Sequence, residues 1–135
     1  MPAVPIALVP DSTISTALSR AALPASVAHA DATYTAARAA LLGAALASGS
    51  AELFGAALDD RLHEPYRAAG APLLESVRKR LPVGALGATL SGSGPAVIVW
   101  AQPSAAAACA DELSTRHPDA RVLVLAVSPQ GAHAL

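Results

Sequence analysis

The chain has 135 residues, the size of one ordinary domain; more than half are hydrophobic and only a few are aromatic. A formal net charge of −1, with no basic or acidic run, excludes a chain-wide nucleic-acid footprint. The single cysteine, Cys109, excludes internal disulfides and suits a reducing, cytoplasmic setting. Alanine dominates the apolar residues and favours closely packed helices, so a helix-rich α+β domain over residues 1–135 is expected. The opening "MPAVPIALVPDS" lacks a basic leader region and is broken by Pro5 and Pro10, unlike a signal peptide. The longest apolar stretch, Ala36 to Ser48, carries Arg38 and is too short for a bilayer, so no membrane partner is expected.

"AVPIALVP" is a short apolar run closed by proline and reads as a buried strand. Asp11 or Ser12 is positioned to cap a short helix, "TISTALSRAAL", which Pro24 ends. The longest helical pattern follows in "SVAHADATYTAARAALLGAALASG", with Val27, Tyr34, Ala37, Leu41, Leu42 and Leu46 near helical spacing and Gly49 as C-cap. Ser50 caps "AELFGAALDDRLHEP", whose Leu53, Phe54, Ala57, Leu58 and Leu62 share a face until Pro65 stops it. "APLLESVRKRLPVG" is a further short helix with Pro72 at its start. Two strand-like runs, "ALGATLS" and "PAVIVWA", flank a glycine turn; helix "SAAAACADELSTRH" and strand "ARVLVLAVS" follow, with "PQGAHAL" as a loose tail. Antiparallel strands with helices on one face is the packing this order favours.

The turn "SGSGP", Ser91–Gly92–Ser93–Gly94–Pro95, reads as a hairpin, because glycine supplies positive φ and serine bonds its own backbone. Neither a P-loop nor a dinucleotide fingerprint fits: no Lys-Ser/Thr follows the glycines, and no G-x-G-x-x-G opens a helix. Gly-x-Ser-x-Gly is also missing, so Ser93 is a poor nucleophile. What remains is a turn with exposed N–H groups that can approach an anion or another glycine loop.

Thr16 and Arg20, four apart in "TALSR", project from one helix face and would clamp a carboxylate-bearing ligand, or else form a solvated face. "DDRLHEPYR" gathers Asp59, Asp60, Arg61, His63, Glu64 and Arg67, a cluster of the kind that makes surface or local salt bridges. His29, His63, His117 and His133 show no metal-ligand spacing, so no metal site is expected, and no residue of this chain stands out as catalytic. Cys109, on an alanine-rich helix, reads as packing.

Three segments together carry a resemblance. "LSGSGPAV" resembles the third signature of the kinase superfamily of galactokinase, homoserine kinase, mevalonate kinase and phosphomevalonate kinase. "VPDSTISTALSRAALPASVAHADATYTAARAALL" and "DRLHEPYR" are more narrowly similar to the homoserine kinase family, and the likeness runs from about Val9 to Val99. It implies the ferredoxin-like C-terminal lobe of that fold, a four-stranded antiparallel sheet packed with helices. It also implies ATP- and Mg²⁺-dependent phosphorylation of the L-homoserine hydroxyl, on the way to threonine. By the same resemblance Thr16, Arg20 and Arg67 contact the substrate, and the Ser91–Pro95 turn lies beside the nucleotide-phosphate loop.

That nucleotide loop, of the form P-x-x-x-G-L-G-S-S-A, and the acidic Mg²⁺ ligand do not occur in these residues. Phosphoryl transfer relies on both, so the chain alone is expected to be inactive, with an N-terminal lobe or a partner chain supplying them. A homodimer is compatible with this. Two other readings stay open: a lobe of a mevalonate or phosphomevalonate kinase, and a non-catalytic amino-acid-binding module.

Overall fold

The computed structural model describes residues 1–129, so the tail expected over 129–135 lies almost wholly outside the described residues, as does His133. Four strands form one antiparallel sheet: β1 (Val4–Pro10), β2 (Ala85–Leu90), β3 (Val97–Ala101) and β4 (Ala120–Val124). Their order is β2-β3-β1-β4. Val4 pairs with Ala101 and Leu8 with Val97 on one side of β1, while Ile6 pairs with Val124 on the other. Alternation along these strands sends Ile6, Leu8, Val97, Val99 and Ala88 to one face, all of them buried. Helices α5 (Pro72–Lys79) and α6 (Ala106–Arg116) cover that face with Leu74, Val77, Cys109 and Leu113. Cys109 is packed there, its thiol donating to the Val83 carbonyl at 3.3 Å.

Helices on one face only is therefore half of the arrangement. On the opposite face, α2 (His29–Ser48) and α3 (Ala51–Ala56), with Leu58 just after it, bring Ala45, Phe54 and Leu42 against Leu86 and Trp100. Phe54 meets Trp100 edge-on, with centroids 5.2 Å apart. Gly49 ends α2 in the left-handed region (φ 71), and the Ser50 hydroxyl caps α3 by accepting the Leu53 N–H at 3.2 Å. Among the described residues, no helix is long and apolar enough to cross a membrane.

Three boundaries differ from the sequence expectation. Helix α1 is Thr16–Ala21, with Ser15 rather than Asp11 or Ser12 at its N-cap and no side-chain cap bond. Ile14 packs where a Cβ on Gly70 would lie 3.0 Å away, a tertiary contact belonging to extended chain. Helix α2 starts at His29, leaving Val27 exposed before it. Helix α3 stops at Ala56, so Leu62 lies beyond its face, and Pro65 opens the one-turn helix α4 (Glu64–Arg67) instead of ending a helix. Proline tolerates a first turn because its missing N–H is not needed there.

Candidate functional site

Asp60 organises α4. Its Oδ2 accepts the N–H groups of Leu62 (3.1 Å), His63 (2.7 Å) and Glu64 (2.8 Å). Burial pushes the Asp60 carboxyl up, but the N–H bonds from Glu64, His63 and Leu62, helped by the nearby His63 ring, outweigh it. The carboxyl is held below its usual range. The preceding loop is clasped to α2: Tyr34 donates its hydroxyl to Asp59 Oδ2 at 2.7 Å, with the Arg61 and Arg38 guanidinium groups 3.7 and 4.7 Å from its ring centroid.

Glu64 fixes α4 to the sheet. It is buried; Oε1 accepts the Leu90 N–H at 2.7 Å and Oε2 pairs with Arg78 Nη2 at 2.6 Å. Arg78 in turn donates to the Ala88 carbonyl from Nε (3.0 Å) and Nη2 (2.8 Å). A buried carboxylate persists only when paired and hydrogen-bonded in this way. The effect is to hold α4 against the last residue of β2, where the glycine turn begins.

That turn is closed by Ser91 N–H to the Ala96 carbonyl (2.9 Å) and Gly94 N–H to the Ser91 carbonyl (3.2 Å). Gly92 (φ 62) and Gly94 (φ 80) occupy the left-handed region, where a side chain would be strained. Arg67 reaches the turn from α4, its Nη1 donating to the Gly92 carbonyl at 3.2 Å and its Nε to the Ser19 carbonyl at 3.4 Å. Ser19 closes the triangle, its hydroxyl donating to the Ser93 carbonyl at 3.0 Å. The turn is the expected hairpin, and its Gly92 and Ser93 also line a cleft.

Thr16, Arg20, His63, Arg67, Leu90, Gly92 and Ser93 line a cleft of about 390 Å³. The three residues singled out as ligand contacts are thus brought together. Ser91 is exposed and closes the turn, while Gly94 and Pro95 line a second cleft of about 330 Å³ with Ser12, Thr13 and Thr16. No carboxylate lines the first cleft. Among the described residues Arg20 has no hydrogen bond or ion pair, and Arg67 keeps Nη2 without a partner. Two unneutralised guanidinium groups beside a hydroxyl can bind a carboxylate or phosphate through charged, bidentate hydrogen bonds. The described residues contain no group of three or more His, Cys, Asp or Glu able to hold a metal.

"DDRLHEPYR" makes the ion pairs expected of it, Arg61 with Asp31 and Glu64 with Arg78, and its residues have four separate tasks. Asp59 and Arg61 clasp α2, Asp60 caps, Glu64 anchors, and His63 and Arg67 face the cleft. Ser19, Asp60, Glu64 and His63 were not marked as site residues by sequence. The available signals were a serine beside Arg20 in an Ala/Leu helix and a D-x-x-x-E-P run that opens a helical turn.

The "GHMP kinases C terminal" family model matches residues 42–119. A homoserine kinase of Gloeobacter violaceus is 40% identical over 124 residues, 91% of this chain and 42% of the relative. One of Leifsonia xyli subsp. xyli is 41% identical over 130 residues, 95% of this chain and 40% of the relative. The crystal structure of homoserine kinase from Cytophaga hutchinsonii superposes with a TM-score of 0.80 at 25% identity, over 91% of this chain and 40% of that one. The chain spans less than half the length of each.

Proposed function

The chain belongs to the GHMP kinase family, whose C-terminal domain it carries, and on that premise we propose that it is the substrate-binding part of a homoserine kinase. The whole enzyme transfers the γ-phosphoryl of ATP to the side-chain hydroxyl of L-homoserine in the cytoplasm, giving O-phospho-L-homoserine for threonine synthesis. The observation that carries this is the convergence of Arg20, Arg67 and the Thr16 hydroxyl on one cleft without a lining carboxylate. Arg20 and Arg67 take the α-carboxylate of the amino acid, and Thr16 bonds a second polar group. Phosphoryl transfer depends mainly on positioning and charge stabilisation, and this chain's share is positioning.

Mg²⁺ and ATP do not fit the donor set of the described residues. Among the described residues there is no acidic metal cluster, and the family's P-x-x-x-G-L-G-S-S-A loop does not occur in the sequence. An N-terminal lobe or a partner chain supplies both, so the 135 residues alone bind substrate without turning it over. The test is a titration of the ¹⁵N-labelled chain with L-homoserine and, separately, mevalonate. The result expected is saturable shifts at Arg20, Arg67 and Gly92 with L-homoserine only. Shifts with mevalonate alone would move the assignment to another substrate, and shifts with neither would overturn it.

A further inference from the structure

We infer that His63 is a positioning residue: its neutral imidazole, accepting through Nδ1, aims the Arg67 guanidinium into the cleft. Arg67 Nη1 lies 3.2 Å from His63 Nδ1. A guanidinium has donors only, so this contact is a hydrogen bond only when Nδ1 is unprotonated. The ring proton then sits on Nε2, which faces Asp60 Oδ2 at 3.8 Å. Asp60 accepts the backbone N–H of His63 at 2.7 Å and so fixes the residue that carries the ring.

The consequence for Arg67 follows from counting its hydrogens. Nη1 has two; one goes to the Gly92 carbonyl and the other to His63, while Nε goes to Ser19. The protein's demands fall on Nε and Nη1, and the two hydrogens of Nη2 are left for a ligand. Without the imidazole the remaining contacts are two carbonyls at 3.2 and 3.4 Å, the second of them long. The charged groups facing the ring are Asp60 and Arg67, with Arg20 lining the same cleft. Protonating His63 would replace the acceptor by a donor and set another cation against the arginines.

L-homoserine as the ligand rests on the function proposed above; the His63–Arg67 contact does not, and the experiment separates them. A long-range ¹H–¹⁵N spectrum of the chain reads the ring directly, and the Nε2–H tautomer is expected. The Nδ1–H tautomer would overturn the inference. His63→Asn puts a carbonyl oxygen near the position of Nδ1, whereas His63→Leu offers no acceptor. L-homoserine should bind about tenfold more weakly to His63→Leu and within about twofold of the parent to His63→Asn, the value of one charged hydrogen bond. Equal affinity in all three would sink the positioning role. If the parent binds no L-homoserine but shows the Nε2–H tautomer, and the Arg67 guanidinium resonances broaden only in His63→Leu, the substrate assignment fails and the positioning role stands.

Discussion

The Ser19 hydroxyl donates to the carbonyl of Ser93 at 3.0 Å, joining α1 to the glycine turn across 74 positions of sequence. The carbonyl of Ser19 meanwhile accepts Arg67 Nε. One serine thus references both the turn and the arginine to the helix that carries Thr16 and Arg20. Ser19→Ala should cost about 1 kcal/mol of stability, a single neutral hydrogen bond, seen as a lower urea midpoint. It should also weaken L-homoserine binding although Ser19 is not among the residues lining the cleft. An unchanged affinity would mean that the turn holds its place without it.

Arg20→Ala and Arg67→Ala remove the two cations of the cleft. In the complete kinase each should raise KM for L-homoserine about thirtyfold, equivalent to roughly 2 kcal/mol for a charged hydrogen bond. Arg67→Lys should recover little, because an ammonium cannot reproduce a planar fork that serves Ser19, Gly92 and ligand at once. Steady-state kinetics with saturating Mg-ATP decides this, and wild-type KM in both alanine variants would remove these residues from the site.

Glu64 has the appearance of an active-site acid and the contacts of an anchor. Glu64→Ala strands the Leu90 N–H and unpairs Arg78, and should destabilise by about 3 kcal/mol, at the low end for a broken buried pair because the Arg78 side chain is partly exposed. Glu64→Gln keeps an acceptor for Leu90 and should lose roughly half as much. Urea unfolding of both variants measures the difference. Equal losses would show that the ion pair, not the bond to Leu90, holds α4.

Acid should unfold the chain in two stages. His117 is harder to protonate in the fold than in the unfolded chain, through its burial and the Arg116 charge. Proton uptake therefore favours unfolding, and stability declines as pH falls below about 6.5, the unfolded value. Asp60 runs the other way in charge: its carboxyl is more acidic when folded. Its contribution is complete above about pH 4 and is lost as pH drops through the lower folded value. Urea midpoints from pH 2.5 to 8 should lose the upper step in His117→Gln and part of the lower one in Asp60→Asn. A lower step unaltered in Asp60→Asn would refute the capping role.

The strands and the long helix were legible because period and punctuation agreed: Pro10 closes β1, Gly49 closes α2, and the two glycines mark the β2–β3 hairpin. The segment from Ala57 to Arg67 was not, because its apolar spacing continues helically through Leu58 and Leu62. What breaks the helix there is tertiary: Asp60 turned onto three amides, and Asp59 and Arg61 drawn to Tyr34 on another helix. Likewise Thr16, Arg20 and Arg67 carried a pattern and a resemblance, whereas Ser19 matters through partners 74 and 48 positions away, and His63 through an i,i+4 contact on a one-turn helix that the apolar spacing conceals. The second helical layer was missed for a related reason. Alanine-rich α2 buries only Ala45 completely among its residues and shows little sidedness.

The sheet order has a consequence for how the chain comes to be folded. β1 lies inside the sheet, yet both of its neighbours, β3 and β4, are among the last strands in sequence. An apolar segment made before both of them must therefore wait for its sheet neighbours until residues 97–101 have left the ribosome, and gain the second only after 120–124. At about 5–20 residues per second the wait is several seconds, long compared with the closing of local helices. Non-local pairing of this kind slows folding and leaves a sticky strand exposed to other chains meanwhile. Pro5 and Pro10 within β1 withhold two backbone donors from any stray partner, and so make the waiting strand a poor template for aggregation.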